Sequence, residues 1–160
     1  MNPGNASMSI ETKLKDKGIV LPTAPKPVAN YIPAVRAGEL LFTSGMLPMK
    51  EGKLAYQGKL GKDLTVEEGQ EAARLALLNA LAVVKQEMGS LDCVVRVIRM
   101  TGHVASGPGF VQQPTVLNGA SDLLVAIFGE VGRHTRAALG AAELPLNSPI
   151  ELELIVKVRQ

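Results

Sequence analysis

The chain has 160 residues, a length that favours one domain over two. Hydrophobic residues make up 46% and charged residues 20%, so the chain can bury a core and is not globally disordered. Seventeen basic and fifteen acidic residues give a formal net charge of +2, and aromatic residues are only 3%. A nearly neutral chain with few aromatic side chains argues against a dedicated nucleic-acid binder.

The cysteine count and the N-terminus narrow the class of protein further. The single cysteine, Cys93, excludes an internal disulfide and leaves too few thiols for a cysteine-based zinc or iron–sulfur site. The N-terminal residues hold no apolar run of signal-peptide length, and no segment reaches the roughly 18 apolar residues that a membrane span needs. We therefore expect a cytoplasmic protein that does not contact a membrane.

Residues 1–28 predict a short helix followed by a proline-rich tether. Ser9 can cap a helix over 10–17 because its hydroxyl can accept from a free backbone N–H of the first turn. Three prolines within 21–30 favour an extended chain. We expect this N-terminal part to precede a single domain that spans 29–160.

A β-hairpin is predicted next. The apolar-rich segments 31–37 and 40–44 are separated by Gly38-Glu39, which is typical of a tight turn between two strands. Residues 49–64 contain three glycines and several lysines, so we expect a surface loop there.

Two helices are predicted after this loop. The first covers 65–88, where Thr65 and Glu68 have the spacing of a capping box and Gly89 follows the last turn. Its apolar stripe consists largely of alanines, which allow close packing against a neighbouring element. The second helix is predicted over 116–128.

Strands are predicted over 94–102, 135–139 and 150–158. In the first of these, alternation places Val95 and Val97 on one face and other apolar side chains on the opposite face, which implies cover on both faces.

The last strand has one apolar face and one mixed face. The apolar face consists of Ile150, Leu152, Leu154, Val156 and Val158. The opposite face carries Glu151, Glu153, Ile155, Lys157 and Arg159, which indicates a partly buried polar surface. A sheet with helices on one face only leaves its other face uncovered, so we expect an oligomer.

Arg136 and Glu151 are the strongest candidates for chemistry. Arg136 lies within a predicted strand, and Glu151 lies near the start of the next. If these strands lie close together, a guanidinium that can bind a carboxylate bidentately and a carboxylate that can hold a water share one sheet face. A structural ion pair at a subunit contact is the alternative, and the spacing alone favours it.

The two histidines and the cysteine give weaker signals. A zinc site built from His103, His134 and Cys93 lacks any spacing typical of zinc ligands, so loop or core positions are favoured for the histidines. Cys93 is expected to be a small, unreactive core residue.

The segment 135–158, TRAALGAAELPLNSPIELELIVKV, resembles the C-terminal signature of the reactive-intermediate deaminase family (Rid, or YjgF), also known as L-PSP endoribonucleases. An arginine, a Leu-Pro turn and an acidic-apolar alternating strand stand in the family's order. Within 31–48, the pieces YIPAV and FTSGMLP resemble the family's N-terminal tyrosine and Ser-Gly elements. Asn118 falls where the family carries an asparagine, and the resemblance covers about 29–158.

This resemblance implies a chorismate-mutase-like α+β fold, in which a mixed β-sheet carries two helices on one face and three subunits form a trimeric barrel. Ligand sites in the family lie in clefts between subunits. Active members hydrolyse reactive 2-imino acids, which arise from enamines, to 2-keto acids and ammonia, and they need neither a cofactor nor a metal. A small ligand that bears a carboxylate is the implied partner.

The resemblance also implies roles for individual residues. Arg136 would bind the substrate carboxylate, and Glu151 would position the water that attacks the imine carbon. The cleft would be lined by Tyr31, Ser44, Gly45, Asn118 and the backbone of Ala138.

Three departures from the family pattern indicate a divergent subgroup. Ala138 stands where many active members carry a cysteine, the N-terminal part is extra, and the loop 103–114 differs. The alternative function is therefore a non-catalytic trimer of the same fold that binds small carboxylates. A ribonuclease is disfavoured by the nearly neutral charge, the scarce aromatic residues and the lack of a histidine pair in one motif.

Overall fold

The computed structural model describes residues 8–26 and 29–159. Its helices and strands, in chain order, are α1 (Ile10–Asp16), β1 (Ala34–Ala37), β2 (Leu40–Thr43), β3 (Met49–Lys50), β4 (Lys53–Leu54), α2 (Val66–Met88), β5 (Val94–Ala105), α3 (Gln113–Phe128), β6 (Thr135–Ala141) and β7 (Ile150–Val158). Single turns of 3-10 helix at Leu91–Cys93, Gly129–Gly132 and Pro145–Asn147 join some of them.

Five of the strands form one mixed sheet in the order β1-β2-β7-β5-β6, and β3 pairs with β4 in a separate hairpin. Strands β5 and β6 are parallel, and the other neighbours are antiparallel. Helix α2 packs against β7, and α3 packs against β5 and β6. The predicted α+β class and mixed sheet are confirmed.

The helices begin and end where local signals place them. Thr65 caps α2, and the reciprocal bonds between Thr65 and Glu68 form the predicted capping box. Gly89 follows the last turn in the left-handed conformation. Ser9 caps α1 by accepting from Thr12 N–H at 3.1 Å. Each cap satisfies a backbone group that the helix itself leaves unpaired.

Alternation along β7 follows the prediction. The side chains of Ile150, Leu152, Leu154, Val156 and Val158 are all buried beneath the helices. On the opposite face, Val35 is 52% and Leu139 is 45% exposed. Within residues 8–26 and 29–159, this face of the sheet, here called the open face, therefore keeps apolar side chains in contact with solvent.

Strand β5 differs from its prediction in its length and in the sheet faces on which its side chains lie. It extends to Ala105, and its pairing with β7 shifts register twice, between Val94 and Arg96 and again between Val97 and Arg99. Each irregularity changes which side chains face the helices, so Val94 and Val97 are both buried. The predicted strict alternation, with apolar cover on both faces, is wrong for this reason.

The predicted surface loop over 49–64 is also wrong in part. It contains the β3–β4 hairpin, which Asn79 of α2 holds by donating from Nδ2 to the carbonyl oxygens of Leu47 at 3.3 Å and Met49 at 2.9 Å. Leu60 is fully buried, and its N–H donates to the carbonyl oxygen of Ala105 at 2.8 Å. Long-range contacts therefore order a segment whose composition is that of a loop.

Helix α1 belongs to the same core as the sheet. Ile10 and Leu14 are buried, and the Ile10 N–H donates to Oδ1 of Asp92 at 2.8 Å. Partial burial acts to raise the pKa of Glu11, but the hydrogen bond from Leu91 N–H contributes to holding that pKa below its usual value. Of the predicted proline-rich tether, residues 27–28 lie outside the described residues.

Helix α3 with the 3-10 turn that follows it, Gln113–Gly132, is apolar enough by length and composition to cross a membrane, with a mean hydropathy of 1.2. The sequence prediction overlooked this window. Most of its large apolar side chains, however, are buried in the core of the fold, including Val116, Leu117, Leu123, Leu124 and Ile127, whereas Val125 and Val131 are exposed. Packing against α2 and the sheet accounts for the hydropathy of this helix.

Gly119 gives a test of the α2–α3 packing. A Cβ built on Gly119 would overlap the backbone of Gln70, with the carbonyl carbon and Cα at 2.9 Å and the oxygen closer still. Gly119→Ala should therefore lower the free energy of unfolding by about 1–3 kcal/mol in urea denaturation, because two helix backbones must separate. At the exposed position 126 of the same helix the ordinary preference holds, and Ala126→Gly should cost about 1 kcal/mol. A stabilising Gly119→Ala would contradict the close approach.

Candidate functional site

Two side chains of α3 anchor the guanidinium of Arg136. Nη1 donates to Oδ1 of Asn118 at 2.9 Å and to Oγ of Ser121 at 3.1 Å. A parallel pair such as β5 and β6 needs a long crossover, and α3 is that crossover, so its polar side chains lie over β6. Arg136 is aligned with Met100, which is fully buried, and this places both on the helix-covered face of the sheet.

These bonds leave one edge of the guanidinium available. Both protons of Nη1 have acceptors, and among the described residues no acceptor bonds to Nε or Nη2 of Arg136. The Nε–Nη2 edge presents two parallel N–H groups, which is the geometry that binds a planar carboxylate bidentately. Among the described residues Arg136 forms no ion pair, and its Nε–Nη2 edge has the geometry to bind an anion.

A second polar pair extends this network. Nε2 of His134 lies 3.0 Å from Oγ of Ser121, and Nδ1 of His134 lies 2.7 Å from the carbonyl oxygen of Gly132. The prediction of a loop or core position for His134 missed this role. Its position two residues before Arg136 in an extended segment is the signal that could have revealed it, because such residues lie on the same side.

The remaining predicted residues lie on segments linked to Gly45, which contacts Glu151. Gly45 lies directly against Glu151, whose Cγ and Cδ would stand 2.9 Å from a Cβ at position 45. The Ser44 hydroxyl donates to the carbonyl oxygen of Ile32 at 2.7 Å, which ties the segment before β1 to the end of β2. Tyr31, in that segment, is 50% exposed.

The predicted site is thus split into two half-sites within one protomer. The arginine half-site contains Asn118, Arg136 and Ala138, and the glutamate half-site contains Tyr31, Ser44, Gly45 and Glu151. Strand β5 lies between β6 and β7, and in the register of the sheet Arg136 is aligned with Leu154 while Glu151 is aligned with Leu139.

The expectation that Arg136 and Glu151 share one sheet face is wrong. Arg136 lies on the helix-covered face, whereas Glu151 alternates with the buried Ile150 and Leu152 and lies on the open face. Two strand spacings and three residues of register separate the Cα atoms by roughly 14 Å. One protomer does not bring the guanidinium and this carboxylate together.

The other reactive side chains stand apart from the arginine half-site. Cys93 is half-buried rather than a core residue, and partial burial raises the pKa of its thiol, which disfavours the reactive thiolate. His103 is paired in register with Glu151 across β5 and β7, on the open face. The two histidines therefore lie on opposite sides of the sheet, because His134 contacts α3.

Substitution of Gly45 tests its contact with Glu151. Gly45→Ala should lower the free energy of unfolding by about 1 kcal/mol and displace the Glu151 side chain, since the new methyl group occupies its position. In a Glu151→Ala background the overlap is gone, and the same change should be neutral or slightly stabilising. Urea denaturation of the four proteins gives the cycle. An equal cost in both backgrounds would contradict the contact.

Comparison with known proteins shows the family to which the chain is similar. Residues 11–158 match the profile of a family described as "YjgF/chorismate mutase-like, putative endoribonuclease". The chain is 42% identical over 154 residues to Protein TCP17 of Trypanosoma cruzi, with 96% of each chain covered. It is 25% identical over 140 residues to the 2-iminobutanoate/2-iminopropanoate deaminase of Dermatophagoides farinae, covering 88% of this chain and 94% of the relative.

The chain is also similar to a solved structure, that of the protein Atu1372 of unknown function from Agrobacterium tumefaciens. The two superpose with a TM-score of 0.88 at 47% sequence identity, and the match covers 94% of this chain and 92% of that one. The sequence signature, the mixed sheet and these matches lead to one conclusion: the chain belongs to the YjgF/chorismate mutase-like family, which includes proteins named as imine deaminases and as endoribonucleases.

Proposed function

We propose that this protein is a cofactor-free hydrolase of 2-imino acids, which acts as a homotrimer with its sites between subunits. The observation that carries the proposal is the orientation of Arg136. Its guanidinium is anchored through Nη1 alone, so that the Nε–Nη2 edge is free to bind a carboxylate.

The substrate class follows from this edge together with Glu151. A 2-imino acid has a planar carboxylate attached directly to an electrophilic C=N carbon. Binding the carboxylate on Arg136 fixes the position of the imine carbon, and fixing a reactant in this way lowers the entropic part of the barrier. An imine is already electrophilic, so an activated water suffices for its hydrolysis.

Glu151 supplies the second requirement, a carboxylate that can orient that water. In the proposed reaction the water oxygen bonds to the imine carbon while Glu151 accepts a water proton. The electron pair of the C=N π bond moves to the nitrogen, which receives that proton from Glu151 to give a carbinolamine. Glu151 then transfers the carbinolamine hydroxyl proton to the same nitrogen, and the C–N bond breaks as the C=O bond forms, which releases ammonia. The sum is one imine and one water converted to one 2-keto acid and one ammonia, and Glu151 returns to its starting state.

A partner subunit would unite the two half-sites. Arg136 lies on β6, an edge strand of the five-stranded sheet, where a neighbouring subunit can approach. The open face exposes Val35 and Leu139, which association would bury. In a closed ring of three subunits, each arginine half-site could face the glutamate half-site of its neighbour.

A non-catalytic carboxylate-binding trimer is the second candidate. Ala138, in place of the cysteine that many active family members carry, favours it. The arginine half-site would be kept, but turnover would be absent. Stabilisation by 2-keto acids without imine hydrolysis would support this candidate over the enzyme.

Imine hydrolysis can be measured directly. An amino-acid oxidase generates 2-iminopropanoate, and semicarbazide traps the imine that remains. The wild-type protein should reduce semicarbazone formation, and Arg136→Ala should lower kcat/KM by about 100-fold, because two charge-assisted hydrogen bonds are lost. Arg136→Lys keeps the positive charge but not the two parallel N–H groups, so its kcat/KM should lie between those of the wild type and Arg136→Ala. Unchanged semicarbazone formation with several imino acids at high wild-type concentration would refute the activity.

Mixed trimers test whether the sites lie between subunits. Arg136→Ala and Glu151→Gln are each expected to be nearly inactive as homotrimers. Co-expressed in equal amounts, they should regain about one quarter of wild-type activity, because each interface draws its arginine and its glutamate independently from two subunits. Sites contained within single subunits would give no recovery, since every subunit then carries a defect.

RNA cleavage that survives both substitutions would point to a different site or a contaminant.

A further inference from the structure

A chain of hydrogen bonds runs from the backbone to the proposed carboxylate-binding arginine. It begins at the carbonyl oxygen of Gly132, passes through His134 and Ser121, and ends at Nη1 of Arg136, over distances of 2.7, 3.0 and 3.1 Å. Family resemblance assigned no role to His134 or Ser121. Both side chains are half-buried.

The chemistry of the end groups fixes the direction of two bonds, and a neutral imidazole fixes the direction of the third. The Gly132 carbonyl can only accept, so Nδ1 of His134 must donate to it. In the neutral ring, Nε2 then carries a lone pair and accepts the hydroxyl proton of Ser121. The guanidinium can only donate, so the Ser121 oxygen offers a lone pair to Nη1.

The serine hydroxyl is therefore held in one orientation by the histidine. Its proton points to His134, and its lone pair points to Arg136. Asn118 occupies the other proton of Nη1 through its amide oxygen at 2.9 Å. Two fixed acceptors on one nitrogen prevent the planar guanidinium from rotating about its Cζ–Nε bond, and this keeps the Nε–Nη2 edge turned outwards.

We propose that Ser121 and His134 are positioning residues, which hold the guanidinium of Arg136 so that its free edge meets the ligand carboxylate. The inference rests on the proposed function, because it assigns the network to that ligand. Preorganising a fork-shaped donor lowers the entropy lost when the ligand binds, so the effect falls on affinity.

A serine hydrogen-bonded to a histidine can also act as a nucleophile with its general base. The hydrogen bonds of Ser121 argue against that catalytic role. An activated serine needs an available lone pair directed at a substrate, as in a serine hydrolase. Here Arg136 donates to the same oxygen, which withdraws electron density from it. Labelling of Ser121 by a fluorophosphonate would overturn the positioning role.

Affinity is the first readout. Titration calorimetry with 2-oxobutanoate should show that Ser121→Ala and His134→Leu each weaken binding about five- to tenfold, because each variant loses one hydrogen bond of the network. Ser121→Thr keeps the hydroxyl and should retain wild-type affinity. Val125→Ala, on an exposed part of α3 one turn further on, is the matched control and should change nothing. In imine hydrolysis, Ser121→Ala should raise KM more than it lowers kcat.

Guanidinium rotation in the ligand-free protein is the second readout and does not depend on the proposed function. With ¹⁵N-labelled arginine, Nη1 and Nη2 of Arg136 should give separate NMR signals in the wild type and exchange-averaged signals in Ser121→Ala and His134→Leu. Equal rotation in all three proteins, or unchanged affinity in both variants, would overturn the positioning role. Failure of the wild type to bind or hydrolyse any 2-oxo or 2-imino acid would overturn the proposed function alone, and the NMR comparison would still decide the positioning.

Discussion

The position of β5 between β6 and β7 is the constraint on which the candidate site depends. Because β5 and β6 are parallel, the chain must cross over the sheet between them, and α3 is the crossover that covers β6. Because β5 and β7 are antiparallel, the start of β7 lies beside the end of β5. One strand thus brings α3 over Arg136 and holds Glu151 two strands away, on the other face.

This topology places Arg136 and Glu151 in two different environments. Arg136 lies against α3, where polar groups on a rigid helix fix its orientation. Glu151 lies on the open face beside Gly45, where the missing side chain leaves room for its carboxylate. A site that needs both groups is incomplete in one copy of the chain, and the exposed apolar residues of the open face favour the association that would complete it.

If the proposed function holds, the network around Arg136 shows how a divergent member can keep carboxylate binding. Ala138 in place of a cysteine would then remove a thiol beside the ligand but leave the partner of its carboxylate in place. Ser121 adds an acceptor behind the guanidinium, and His134 fixes the orientation of that serine hydroxyl, so the proposed support acts on orientation rather than on reactivity. Substrate recognition and catalytic rate can therefore vary separately in such a protein.

Much of the fold follows from signals that the sequence carries locally. The capping box of Thr65 and Glu68, the Gly38-Glu39 turn and the alternation along β7 all stand in the structure as predicted, because each depends on residues a few positions apart. Family membership is also legible in the chain itself, since residues 11–158 match the family profile.

Other features were decided only by tertiary structure. The two register shifts of β5, the ordering of the β3–β4 hairpin by Asn79 and the separation of β6 from β7 all arise from pairing between distant segments. For this reason the sheet faces on which Arg136 and Glu151 lie could not be predicted from their spacing in the sequence. Strand β5 lies between β6 and β7, so the two strands that carry these residues are not neighbours. The contact of Ser121 with His134 has the same origin: it exists only because a crossover helix returns over the strand that follows it.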